Sequence, residues 1–225
     1  MILVGQFDSP YVRRVAISLH TLGMPFERNT LSVFSDAEAM RRINPLGRVP
    51  SLILDDGEVL IDSSAILDHL DEVAGPDRAL LPRSGPTRRH ALRTISLATG
   101  MTDKAIAIGY EHLLRPPELI HAPWIERNRV QLFTALRALE ADAPEVGWFG
   151  GGRLNQADIT VVASLAYVRF RTPWIAPLPD LPKLQRLSAA AEALPTFTQC
   201  LPAIEEIGGP LEEARAGLAR FQGTA

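Results

Sequence analysis

The chain has 225 residues, 46% of them hydrophobic and 22% charged, with a formal net charge of −3. These are the proportions of a water-soluble globular protein with room for one large or two smaller domains. No basic stripe argues for nucleic acid, and no apolar run approaches the roughly 18–20 residues that a membrane helix needs.

The start, MILVGQFDSP, has no basic region and no sustained apolar core, so no secretory leader is expected. Cys200 is the single cysteine, which excludes an intrachain disulfide and fits a reducing, cytoplasmic setting.

In chain order, residues 1–5 are short, apolar and β-prone. Ser9 followed by Pro10 signals a helix start, with serine as N-cap and proline in the first turn. Val12, Val15, Ala16 and Leu19 then repeat at helical spacing, and Gly23 ends the run. Residues 25–30 read as a second strand, 36–42 as a short helix or turn, and 44–47 (NPLG) as a turn. VPSLIL at 49–54, DDG at 55–57 and EVLI at 58–61 read as a hairpin. Asp62 and Ser63 are suited to cap a helix whose Ile66, Leu67 and Leu70 share a face. The order is β-α-β-α-β-β-α. A right-handed crossover makes its first two strands parallel, and the hairpin adds an antiparallel edge.

Residues 74–86 hold three prolines and two glycines, the composition of a linker. Everything beyond is helical in pattern, roughly 86–115, 120–142, 155–171, 181–193 and 211–221. The expected organisation is a thioredoxin-like α/β domain at 1–75, a linker at 76–85 and an all-α domain at 86–225.

The chemistry concentrates in the first domain. A thioredoxin fold puts its reactive residue where the first strand meets the first helix, and Ser9-Pro10-Tyr11-Val12 stands there. It looks like a glutaredoxin Cys-Pro-Tyr-Cys with both cysteines replaced. Serine cannot form a mixed disulfide, but its hydroxyl can donate to a thiolate supplied by a substrate. The positive end of the helix would help to hold that charge.

Three segments in register carry a resemblance. They are Ser9-Pro10-Tyr11-Val12-Arg13-Arg14-Val15, Asn44-Pro45-Leu46-Gly47-Arg48-Val49-Pro50 and Asp62-Ser63-Ser64-Ala65-Ile66. Together they are similar to the glutathione S-transferase family, and look closest to its serine-type bacterial members. The resemblance implies that Ser9 holds the glutathione sulfur as a thiolate. It implies a cis Val49-Pro50 bond, with the Val49 backbone pairing with the cysteinyl part of glutathione. Asp62 and Ser63 would take the γ-glutamyl ammonium and carboxylate, and Arg48 either reaches the glycyl carboxylate or stays solvated. The family often has glutamate where this chain has Asp62.

Several classes of the family use a tyrosine near the end of the first strand, where Phe7 stands here without a hydroxyl. Phe7, Tyr11 and Tyr110 are the candidates for an electrophile pocket, with the helical domain forming the electrophile side of the cleft. The implied activity is a transferase of the detoxification kind, using the glutathione thiol against a small electrophile or an organic hydroperoxide. The alternative is a non-catalytic binder of glutathione or of hydrophobic ligands on the same fold. Glutathione would be a substrate, and no separate cofactor is implied. A homodimer is implied, with no nucleic acid or membrane partner.

The five histidines (20, 69, 90, 112 and 121) have no metal-binding spacing, so no metal is expected. Leu154-Asn155-Gln156-Ala157-Asp158-Ile159 resembles the family's capping box, a folding feature with Asn155 as N-cap and Asp158 three residues on.

Overall fold

The computed structural model describes residues 1–170, 172–203 and 206. The first seven elements follow the expected order. They are β1 (Ile2–Val4), α1 (Pro10–Leu22), β2 (Glu27–Asn29), α2 (Ala37–Ile43), β3 (Ser51–Ile53), β4 (Val59–Ile61) and α3 (Ser63–Ala74). The sheet order is β2-β1-β3-β4. β1 and β2 are parallel, with Leu3 opposite Arg28. The β1–β3 and β3–β4 pairs are antiparallel, with Leu3 opposite Leu52 and Leu52 opposite Leu60. This is the thioredoxin-like arrangement.

Local chemistry sets the ends of these elements. Ser9 caps α1 and Pro10 occupies its first turn, where a missing N–H costs nothing. Gly23 closes α1 in the left-handed conformation. Its N–H donates to the His20 carbonyl at 3.1 Å, and Met24 N–H donates to the Leu19 carbonyl at 2.9 Å. Val12, Val15, Ala16 and Leu19 are fully buried, as their spacing requires. In the hairpin, Leu54 N–H donates to the Glu58 carbonyl at 2.8 Å across the turn.

The remaining elements are α4 (Gly85–Leu114), a 3-10 turn (Pro117–Leu119), α5 (Ala122–Asp142), α6 (Gln156–Phe170), α7 (Thr172–Ile175), α8 (Pro182–Glu192) and α9 (Pro195–Thr198). Prolines sit in the first turn of α4, α5 and α9, which explains why a proline-rich stretch is still helical. Met101 and Ile108 of α4, Leu132 and Leu136 of α5, and Val161 and Val162 of α6 build an apolar core. Glu140 caps α8 by accepting from the N–H groups of Lys183 and Leu184, both at 2.9 Å. The helix expected at 211–221 lies outside the described residues. No helix among the described residues is long and apolar enough to cross a membrane.

The chain divides into two compact units. Among the described residues, one joins Met1–Arg83 to residues 192–203 and Glu206, and the other contains Ser84–Ala191. Two details differ from a simple split at residues 76–85. The proline- and glycine-rich stretch is anchored to the first unit, because the Asp71 carboxylate accepts from the N–H groups of Leu80 at 2.7 Å and Leu81 at 3.0 Å. The segment after α8, expected within the helical domain, belongs to the first unit. Arg13 draws it in, donating from Nε to the Cys200 carbonyl at 3.0 Å and from Nη2 to Glu192 at 2.6 Å.

Candidate functional site

Ser9 is half-buried at the N-terminus of α1. Its Oγ accepts from Val12 N–H at 3.4 Å, a long and weak cap. The hydroxyl hydrogen has no acceptor among the described residues. The capping geometry therefore leaves the O–H available to an outside acceptor, at the helix end where negative charge is favoured.

Gly5 brings the next segment close to α1. Its φ is 128°, and a Cβ built on it would lie 2.5 Å from Val12 Cγ2 and 2.9 Å from Val49 Cβ. Only glycine lets the end of β1, the start of α1 and the loop before β3 approach this closely. Val49-Pro50 is cis. The Val49 N–H and C=O make no hydrogen bond among the described residues, so a backbone donor and acceptor stand unused beside the start of α1. Asn44 holds that loop from beneath. It donates from Nδ2 to the Arg48 carbonyl at 2.8 Å and accepts from Leu46 N–H at 3.0 Å. Arg48 is exposed.

Asp62 has a φ of 69° and is the one non-glycine residue with positive φ among the described residues. Such a conformation costs about 1–3 kcal/mol. It puts the carboxylate back over α3, where Oδ1 accepts from Ser64 N–H at 2.8 Å. The other carboxylate oxygen has no partner among the described residues. Ser63 opens α3 and is buried at 3% exposure.

Arg14 joins the two helices. It donates to Ser63 Oγ from Nε at 3.1 Å and from Nη2 at 2.7 Å, and from Nη2 to Ser64 Oγ at 3.1 Å. Its guanidinium also lies 5.7 Å from the centre of the half-buried Tyr11 ring. Consecutive arginines on a surface helix normally read as a solvated face, yet Arg13 and Arg14 are each only 2% exposed. Sequence reasoning noted both within the first matched segment and assigned neither a role. Their place between Ser9 and the buried apolar face was the available signal.

Phe7 is enclosed by its neighbours. It is 2% exposed, under the Arg28 guanidinium 3.5 Å from its ring centre. Its N–H donates to Glu206 at 2.9 Å, and Arg28 pairs with the same carboxylate at 2.5 Å. Phe7 thus packs beneath Arg28 in the loop before Ser9. Tyr110 lies on α4 in the other unit and is 38% exposed. Burial pushes the Cys200 thiol up to about 12, far from a reactive thiolate.

Comparison with known proteins agrees with the fold. The N-terminal domain of glutathione S-transferase matches residues 3–78, and its C-terminal domain matches residues 122–190. The chain is 32% identical over 213 residues to a maleylacetoacetate isomerase of Pseudomonas aeruginosa, covering 90% of this chain and 96% of that protein. A glutathione S-transferase of Methylobacterium radiotolerans, solved in complex with glutathione sulfonate, superposes with a TM-score of 0.81 at 32% identity. That match covers 89% of this chain and 94% of the other. A glutathione S-transferase of Methylobacillus flagellatus with glutathione bound also gives a TM-score of 0.81, at 29% identity over 90% of this chain and 99% of the other. Two domains matched in order, on a fold shared along nearly the whole length, establish that this protein belongs to the glutathione S-transferase family.

Proposed function

We propose that the protein is a glutathione transferase of the serine type, with Ser9 as the residue that holds the substrate thiol as thiolate. The observation that carries this reading is the uncommitted Ser9 hydroxyl at the N-terminus of α1. Val49 offers its free backbone to the cysteinyl part of glutathione. Asp62 and Ser63 offer an acceptor and donors to the γ-glutamyl ammonium and carboxylate, and exposed Arg48 reaches for the glycyl carboxylate. Glutathione bound in a structure of the same fold at 29% identity supports the choice of ligand.

The chemistry is charge stabilisation and positioning. A free thiol titrates near ~8.5, and each unit of depression corresponds to about 1.4 kcal/mol. The Ser9 O–H and the helix end favour the thiolate over the thiol. The thiolate then forms a C–S bond with an electrophile, whose leaving group departs with the bonding electrons. With an organic hydroperoxide, two glutathiones are oxidised to the disulfide while the peroxide is reduced to the alcohol, its second oxygen leaving as water with the two thiol protons.

Ser9→Ala is expected to move the bound thiol back toward ~8.5 and to slow conjugation roughly 100-fold. Thiolate absorbance of the bound ligand against pH, together with turnover of a panel of electrophiles, measures both. An unchanged titration curve and rate would sink the assignment. Glutathione binding without turnover of any electrophile would favour the non-catalytic binder.

The relative named maleylacetoacetate isomerase favours a second reading. There the thiolate adds reversibly to an activated double bond, rotation follows, and glutathione is released unchanged. Following glutathione itself separates the two, since a transferase consumes it and an isomerase returns it.

A further inference from the structure

We propose that Arg14 is a positioning residue, which acts through Ser63 to make the N-terminus of α3 selective for a ligand's α-carboxylate. This rests on the reading of the site as a glutathione site, and it adds a buried residue that does not itself reach the ligand.

A hydroxyl has one hydrogen and two acceptor lone pairs. Two guanidinium N–H groups of Arg14 converge on Ser63 Oγ, at 3.1 and 2.7 Å, and take up its acceptor side. The Ser63 hydrogen must then point away from Arg14. It has no acceptor among the described residues, and the Ser63 N–H likewise has no partner there. One buried residue therefore presents an O–H and an N–H together at the positive end of a helix of 12 residues. Paired donors of this kind fit the two oxygens of a carboxylate.

Charge supports the same conclusion. A carboxylate placed here meets the negative charge of Asp62, which guards the same helix end. The Arg14 cation, 2% exposed and directly behind Ser63, offsets that repulsion in a poorly solvated setting. Lysine in its place would keep the charge but lose the planar fork that grips one oxygen from two nitrogens.

The test compares two ligands. One is glutathione. The other is 4-aminobutanoyl-Cys-Gly, which is glutathione without its α-carboxylate. Calorimetric affinities are measured for the wild type, Arg14→Met, Arg14→Lys and Ser63→Ala. The wild type is expected to prefer glutathione. Arg14→Met is expected to lose roughly 10- to 100-fold in glutathione affinity, with the analogue weakened by no more than about twofold. Arg14→Lys should recover part of the difference. Equal weakening of both ligands in Arg14→Met would mean a merely structural role and overturns the proposal, as does unchanged discrimination.

Should Arg14→Met fail to fold, Arg14→Lys decides the matter. It must reduce discrimination when Ser63 is present and have no further effect in the Ser63→Ala background. Any other pattern overturns the proposal. A wild type that binds both ligands equally overturns it while leaving the Ser9 reading standing. A wild type that binds neither overturns both.

Discussion

At the scale of single residues, two positions decide how the site is shaped. Ser9 acts by what its cap leaves over, since a 3.4 Å bond to Val12 N–H holds the side chain without using its hydrogen. Gly5 acts by having no side chain. An alanine there meets Val12 and Val49 inside contact distance and carries a backbone conformation that L residues avoid. Gly5→Ala is therefore expected to cost at least about 2 kcal/mol in chemical denaturation. It should also weaken glutathione binding, because Val49 must shift to make room. A variant with wild-type stability and affinity would show that the close approach is dispensable.

At the scale of elements, the helix ends carry most of the specific chemistry. The start of α6 is a reciprocal capping box. Asn155 Oδ1 accepts from Ala157 N–H at 2.7 Å, and Asp158 Oδ2 accepts from Asn155 N–H at 3.0 Å. Asp158 also accepts from Phe149 N–H at 2.8 Å, tying the preceding glycine-rich turn to the helix. Burial raises its carboxyl from 3.8 to about 6, against the opposing pull of these N–H donors. Between those values the native state holds a proton that the unfolded chain has released. The contribution to stability is complete below 3.8 and is lost as pH rises through about 6. Wild type should lose stability relative to Asp158→Asn as the pH rises from about 4 to about 6.5, as read by urea denaturation. A gap that does not change with pH would contradict this.

The start of α3 is built differently, with a positive-φ aspartate at its cap and a buried arginine behind it. Helix starts of this kind are legible in sequence from Ser-Pro or Asp-Ser. What lies behind the cap is not, because it comes from another element.

At the scale of the whole molecule, the chain returns to its beginning. Glu206 joins Phe7 across 199 positions and Arg28 across 178, and Arg13 reaches Cys200 across 187. These contacts tie the loop before Ser9, the second strand and the first helix to the end of the described chain. Because the Arg28–Glu206 pair is partly exposed, its loss is discounted for solvent screening. Glu206→Gln is expected to lower stability by about 1–2 kcal/mol and to slow turnover by loosening the Phe7 loop. Combined with Arg28→Met, the effects should fall short of additive, because both act on one carboxylate. Full additivity in thermal melts would separate the two residues.

The sequence by itself determined the element order of the first domain, the parallel first pair and the antiparallel hairpin, the caps at Ser9, Asp62 and Asn155, and the family. Each is written in short-range patterns of period, turn chemistry and motif that need no distant partner. Only the tertiary structure decided that Arg13 and Arg14 are buried, that Phe7 packs under Arg28 beside Glu206, and that the segment after α8 belongs to the first unit. Those outcomes depend on desolvated charges finding partners tens to hundreds of residues away, and no local pattern records which partner will be there.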